Sequence, residues 1–360
     1  ATSSSCPRHE EHRIKSMPPS IAHDVRVGGS LSASGLAGVA PELSLGVGKP
    51  GIFEFRFGTK SPQKKMRIFY YLPAFWSVST PVLFVMHGVK RDADKYFSKM
   101  MRKDLPNKYG FALLCPEFSL DVFPSRSGYN SGNVFRKENT NFPNDRADWG
   151  FSAVESVFDH YLSATGSGVS GYHIYGHSAG AQFVHRHLAF IGADDRPLRV
   201  IRAVAANAGF YTEPSLDIQF PFGFGGAEAV FDVDDLKKYL QAPLTIVLGE
   251  RDDDTGHKHL NRSERAMRQG PHRLARGQHF FEAGEARARE LGVPFGWALH
   301  FVPGVGHSDS RMGRAAMQFL FPHHADVAAT SAAGAGGEEE PGLSDSDSES
   351  GTGSGEVSGE

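Results

Sequence analysis

Apolar runs of strand length recur through the middle of this chain and alternate with segments of helical period. Ile52–Phe57 and Met66–Leu72 alternate in character and predict an antiparallel opening pair of strands. Val82–His87, Phe111–Cys115, Tyr172–Tyr175, Val200–Ala205, Leu244–Leu248 and Ala298–Val302 are more continuously apolar and predict strands buried on both faces, as in a parallel sheet. Ser152 and Glu155 form a capping-box signature, and Val154, Val157, Phe158, Tyr161 and Leu162 follow at helical spacing, so a helix is predicted from Ser152. Strands alternating with helices argue for one α/β domain, a mostly parallel central sheet with helices on both faces. No internal repeat is visible.

The two ends of the chain break this pattern. Residues 1–50 are rich in Ser, Gly and Pro without sustained periodicity and read as a loosely ordered arm. From residue 325 the chain is Ala/Gly/Ser-rich and then acidic, with eight acidic residues and no Lys or Arg over 331–360. Such a segment buries too little apolar surface to fold, which leaves 51–324 as the predicted domain. The formal charge of the whole chain is −3, so the body without the tail is mildly positive. That balance gives no reason to expect nucleic acid as a partner, and the apolar runs are too short to span a bilayer. Two cysteines, Cys6 and Cys115, imply no disulfide framework. The start carries neither an initiator Met nor an apolar signal core, as a processed transit peptide or a trimmed chain would; a soluble, intracellular or organellar protein is expected, with the compartment open. Oligomeric state is not legible.

Candidate chemistry centres on Tyr172-His173-Ile174-Tyr175-Gly176-His177-Ser178-Ala179-Gly180, a short strand entering G-x-S-x-G and then a helical segment. A nucleophile elbow needs that order, because the serine must sit at a sharp strand-to-helix turn with its hydroxyl projecting. The Ala179 amide, at a helix N-terminus, is free to face a developing oxyanion. Serine is a weak nucleophile without a base, itself oriented by an acid. Downstream strands offer both at their ends: Glu250 to Asp254 after Leu244–Leu248, and His307 on a Gly-flanked loop after Ala298–Val302. His307 is the expected base and Asp252 the favoured acid, with Asp254 the second choice and Asp253 pointing the other way in an extended segment. After Val82–Met86, Gly88 permits a tight turn that would present the Val89 amide as second oxyanion donor.

These residues carry a resemblance. Met86 to Asp94, Gly176 to Phe183, Ala205 to Gly209, Leu248 to Asp252 and Val302 to Ser308 resemble the motifs of the α/β-hydrolase superfamily, in particular its poly(3-hydroxybutyrate) depolymerase-like and feruloyl-esterase-like branch. The resemblance spans about residues 52–320 and implies the α/β-hydrolase fold, with Ser178 as nucleophile, Asp252 as acid, His307 as base, and Val89 and Ala179 as oxyanion donors. Secreted polymer depolymerases usually bring a signal peptide, disulfides and a polymer-binding module, none visible here. A small soluble ester or a hydroxyalkanoate oligomer is therefore the expected substrate.

The pocket should be lined by loops at the strand ends. Tyr211 to Phe231, with Phe220, Phe222 and Phe224, is a candidate cap after the sixth strand, and packing of those rings onto the core is an equal alternative. His87, Arg91, Trp149, Tyr211 and Phe222 are candidate substrate-binding residues, with Asn130 to Phe135 nearby; for His87 support of the turn, and for Arg91 simple solvation, are the competing readings. Other signals are set aside. Gly166-x-Gly168-x-x-Gly171 precedes a strand, whereas a dinucleotide fingerprint follows one. His185 and His187 lie two apart on a helix and cannot share a metal. His257-x-His259 lacks a third and fourth ligand at zinc spacing, so no metal is assigned. Asn261-Arg262-Ser263 is a glycosylation sequon only if the chain is secreted. The reading is a serine esterase working through an acyl-enzyme, with no cofactor. The alternatives are acyl transfer or peptide hydrolysis on the same three residues, or a non-catalytic binding protein on this fold.

Overall fold

The computed structural model describes residues 45–60, 63–193 and 197–322. The expected arm up to residue 44 and the acidic tail from 325 lie outside the described residues. Residues 45–50 are not loose: Leu45 is buried in the core, and the Gly48 amide donates to the Leu72 carbonyl at 2.7 Å. The folded body thus begins before Gly51.

Eight strands form a single sheet among the described residues: β1 (Gly51–Phe57), β2 (Lys64–Tyr71), β3 (Val82–Met86), β4 (Ala112–Pro116), β5 (Tyr172–His177), β6 (Val200–Ala206), β7 (Leu244–Gly249) and β8 (Ala298–Val302). Their order across the sheet is β1-β2-β4-β3-β5-β6-β7-β8. β1 pairs antiparallel with β2, and β2 with β4; from there on every pair is parallel. β3, β4 and β5 are buried along their whole length, which is why their sequences show no alternation. β8 departs from expectation. Its apolar run predicts burial on both faces, yet it ranges from half-buried to exposed at His300 and Phe301, because it closes one edge of the sheet and pairs with β7 alone.

The helices are α1 (Ala93–Arg102), α2 (Leu105–Tyr109), α3 (Ser125–Gly128), α4 (Gly150–Thr165), α5 (Ala179–Gly192), α6 (Val233–Leu240), α7 (Glu264–Gln269), α8 (Arg273–Leu291) and α9 (Asp309–Leu320). Two apolar clusters, one on each face of the sheet, bury the helices against it: Phe183, Val184 and Leu188 of α5 join one, and Met312, Ala316 and Met317 of α9 the other. The predicted helix at Ser152 begins two residues earlier, at Gly150, with Trp149 at its cap and no side-chain cap bond. Glu155 is buried instead of capping. It pairs with Arg199, whose Nε donates to it at 2.7 Å, and accepts the Tyr172 hydroxyl. The glycine string at 166–171 is the left-handed end of α4 and a loop into β5, as its position before the strand required.

Candidate active site

β5 sits near the middle of the sheet, between β3 and β6, and runs directly into α5 through Ser178. Ser178 has φ 56° and ψ −114°, a backbone conformation that an L-residue adopts only under constraint. The crossing is close enough that only glycine fits on either side. A β-carbon on Gly176 would run into the Gly180 carbonyl, and one on Gly180 into the carbonyl of Met86.

Three groups from three strand ends meet here. His307 Nε2 lies 3.1 Å from Ser178 Oγ, and its Nδ1 lies 2.7 Å from Asp252 Oδ2. With one carboxylate oxygen accepting from Nδ1–H, the Nε2 lone pair faces the serine hydroxyl, the arrangement a general base needs. Asp252 is 2% exposed and 307 follows it by a long chain separation, so the sheet and not the local sequence brings them together. Asp253 and Asp254 are exposed, and Asp254 Oδ1 instead accepts the Gly256 amide at 2.7 Å. Of these acids, Asp252 is the one that meets the His307 ring.

Burial pushes His307 well below the usual histidine range, and the Arg273 guanidinium beside it adds to that, as His257 and His259 do when protonated. The adjacent Asp252 carboxylate at 2.7 Å opposes them. The balance favours a neutral imidazole near pH 7. Burial raises the Asp252 carboxyl, while Arg273, 3.5 Å from Oδ1, favours its ionised form. The ring of His177 lies against His307, 4.5 Å between centroids, and burial holds it neutral with a pKa lowered to about 3.

The serine opens into a cleft of about 520 Å³. Val89 lies on its wall and is half-exposed, next to Gly88, while Ala179 is the first residue of α5. The remaining wall is more polar than expected: Lys95, Tyr96 and Lys99 of α1, His257 and His259 of the loop after β7, and Asp309 at the start of α9. Lys99 is tied to Asp309 at 2.7 Å.

None of the five predicted substrate-binding residues reaches this wall. His87 is fully buried; its Nε2 accepts the Phe118 amide at 3.0 Å and its ring stacks on Tyr129 at 4.4 Å, so it braces the turn. Arg91 is neither solvated nor at the cleft. Its guanidinium is buried and donates to the carbonyls of Phe118, Phe123 and Ser125. Trp149 caps α4 and donates from its indole to the Asn144 carbonyl at 3.0 Å. Tyr211 stacks on Phe280 at 4.5 Å, and Phe222 on Phe210 at 4.5 Å. The loop 211–231 is packed onto the body, the alternative to a cap. Asn130 to Phe135 likewise supports the core, with Phe135 buried and Asn130 bonded to Gln182. Sequence reading missed Lys95 and Lys99, although their i, i+4 spacing just after the Gly88 turn placed two cations on one side of a helix at the site.

His185 and His187 each have a private partner. His185 bridges the Ala181 carbonyl and the Thr212 amide, and His187 meets the Tyr172 hydroxyl at 2.7 Å. No cluster of three or more metal-ligating side chains occurs among the described residues.

Solved structures complete the comparison. The chain aligns with poly(aspartic acid) hydrolase-1 from Sphingomonas sp. KT-1 at 40% identity, over 76% of this chain and 99% of that one, with a TM-score of 0.69. The chain belongs to the α/β-hydrolase family. This hydrolase also resembles LpqC, a poly(3-hydroxybutyrate) depolymerase from Bordetella parapertussis, at 30% identity over 78% of this chain and 92% of that one, with a TM-score of 0.71. No family model matches the sequence, and no curated protein does. Fold and family follow the resemblance read from the motifs, and the enzyme class is the expected one, a carboxylic ester hydrolase. Among the described residues, no helix is long and apolar enough to cross a membrane.

Proposed function

We propose that this hydrolase cleaves small carboxylic esters through an acyl-enzyme formed on Ser178. The observation that carries the reading is the continuous Ser178–His307–Asp252 hydrogen-bonded chain at the floor of the cleft. His307 Nε2 takes the hydroxyl proton as Oγ adds to the ester carbonyl, and the carbonyl oxygen becomes an anion facing the Val89 and Ala179 amides. When the intermediate collapses, the carbon–oxygen bond to the leaving alcohol breaks and His307 returns the proton to that alcohol. A water molecule then gives its proton to His307, adds to the acyl carbon and releases the acid with Ser178 restored. Asp252 holds the imidazole with Nδ1–H inward and stabilises the imidazolium that forms twice in each cycle. Each oxyanion amide typically contributes about 10²–10³ in turnover.

Hydroxyalkanoate oligomers suit this cleft better than neutral esters. They end in a carboxylate, and the cleft lining carries Lys90, Lys95 and Lys99 against Asp92 and Asp309, with His257 and His259 beside them, a net positive wall. The same wall supports a second reading, hydrolysis of amide bonds in an acidic chain, since the relative at 40% identity is described as acting on poly(aspartic acid). One experiment separates the possibilities. Wild-type protein should take a fluorophosphonate label and hydrolyse p-nitrophenyl butyrate, with both lost in Ser178→Ala. Cleavage of oligo-aspartate faster than of 3-hydroxybutyrate oligomers would move the substrate to the second reading. A wild type that takes no label would sink both.

A further inference from the structure

The loop after β7 places His257 on the wall of the serine cleft, its ring edge-on to His307 with 5.3 Å between centroids. Two donors converge on a single atom of this ring. Arg273 Nη2 lies 3.1 Å from His257 Nδ1, and the His259 amide lies 3.2 Å from the same nitrogen. Neither a guanidinium nor a backbone N–H can accept a hydrogen bond, so Nδ1 must present its lone pair. The ring proton is therefore on Nε2. Arg273 cannot easily swing away: it is 1% exposed, its other terminal nitrogen faces Asp252 Oδ1 at 3.5 Å, and the next amide, of Leu274, donates to the Asp252 carbonyl at 3.1 Å. Among the described residues His257 Nε2 has no hydrogen-bond partner. A neutral imidazole is thus held in one tautomer, with its donor unused, beside the reacting serine.

Its location also indicates which part of a substrate it meets. His307 must reach the leaving oxygen to protonate it, so the leaving alcohol lies on the His307 side of Ser178, away from the Val89 and Ala179 amides. His257 is a neighbour of His307 on the cleft wall. We propose that His257 is a specificity-determining residue that donates from Nε2 to a carbonyl or carboxylate oxygen carried on the leaving alcohol. Arg273 acts through it as a positioning residue. An alcohol portion bearing such an oxygen, as in a 3-hydroxyacid unit, is preferred over an alkyl alcohol of equal size. This inference rests on the ester-hydrolase reading and adds the leaving-group class to it.

Two butyrate esters isolate the effect: 3-(butyryloxy)butyrate, whose leaving alcohol ends in a carboxylate, and 4-methylpentan-2-yl butyrate, whose leaving alcohol ends in an isopropyl group of the same shape. Butyrate release would be followed for wild type, His257→Phe and His257→Gln. Phe keeps a flat ring against His307 but has no donor, whereas the Gln amide restores an N–H at a similar reach. The expected result is a fall of about tenfold in kcat/KM for the carboxylate ester in His257→Phe, the size of one lost hydrogen bond to a charged acceptor. The alkyl ester should change less than about twofold, and Gln should recover most of the loss. Equal falls on both esters would mean that His257 merely supports His307, and no fall on either would mean that it touches no substrate. Both outcomes overturn the proposal while fluorophosphonate labelling persists. A wild type without label overturns the Ser178 reading and this inference with it.

Discussion

Two neighbouring loops leave the same end of the sheet and meet opposite fates. The loop after β6 carries Phe210, Tyr211, Phe220, Phe222 and Phe224, all nearly inaccessible to solvent. The loop after β7 carries Asp252, His257 and His259, and it forms the cleft wall. Rich aromatic content made the first loop look like a substrate cap, yet those rings found partners within the body. Phe224 stacks on Phe231 at 4.0 Å and touches Phe190 and Tyr239. An aromatic side chain buries so much apolar area that a loop with five of them gains more by folding down than by waiting for ligand. A loop of acids, glycine and histidine has no such pull, and beyond Asp252 it leaves His257 and His259 on the cleft lining. At the end of a sheet, polar loops are thus the better guide to a site.

That contrast can be broken at either loop. The largest effect is expected from the second one. Asp252→Asn preserves size but should reverse the hydrogen bonding at His307 Nδ1 and lower kcat by about 10⁴ without altering the far-UV circular dichroism; a loss below tenfold would return Asp254 to consideration. In the first loop the effect should appear in stability and not in chemistry. Phe224→Ala removes a fully buried ring and should cost about 3–5 kcal/mol in denaturant unfolding, with kcat of the folded fraction unchanged. If kcat/KM for esters falls instead, that loop contributes to substrate binding after all. The smallest effect is on pH dependence. The base must be neutral to act, so activity falls as pH drops through its pKa. Burial, with the positive charge of Arg273, places that pKa below the ordinary value of about 6.5, and the acid limb of kcat/KM should lie correspondingly low. A limb at or above 6.5 would show that pairing with Asp252 outweighs burial.

Legibility from sequence followed the same division. Strands buried on both faces declare themselves by unbroken apolar runs, and β3, β4 and β5 were found almost to the residue. β8 has a similar composition but an edge position, and composition does not carry neighbour order. The helix start at Ser152 was misplaced because Glu155 had a stronger partner in Arg199, distant in the chain, than any local amide. Ser178, Asp252 and His307 could be nominated because each follows a strand and strand ends converge. Support of the turn is among the readings its sequence position gives His87, but Arg91 could not be placed, since burial of a cation depends on carbonyls contributed by the segment 118–125. The role of Arg273 was invisible for the same reason: nothing near it in sequence reveals that it faces Asp252 and His257.

The three hydrogen-bonded groups are spread across a wide span of the sheet. Ser178 follows β5, whereas His307 follows β8, three strands away. At the usual spacing between strands that is about 14 Å of sheet, which the loop from Pro303 to Ser308 must arch back across. The contact of 3.1 Å between His307 Nε2 and the Ser178 hydroxyl therefore closes a ring that runs through β5, β6, β7 and β8. A substitution that changes the coil or spacing of those strands therefore bears on that gap as well as on the strands themselves. The enzyme carries at its centre a gauge of its own sheet geometry.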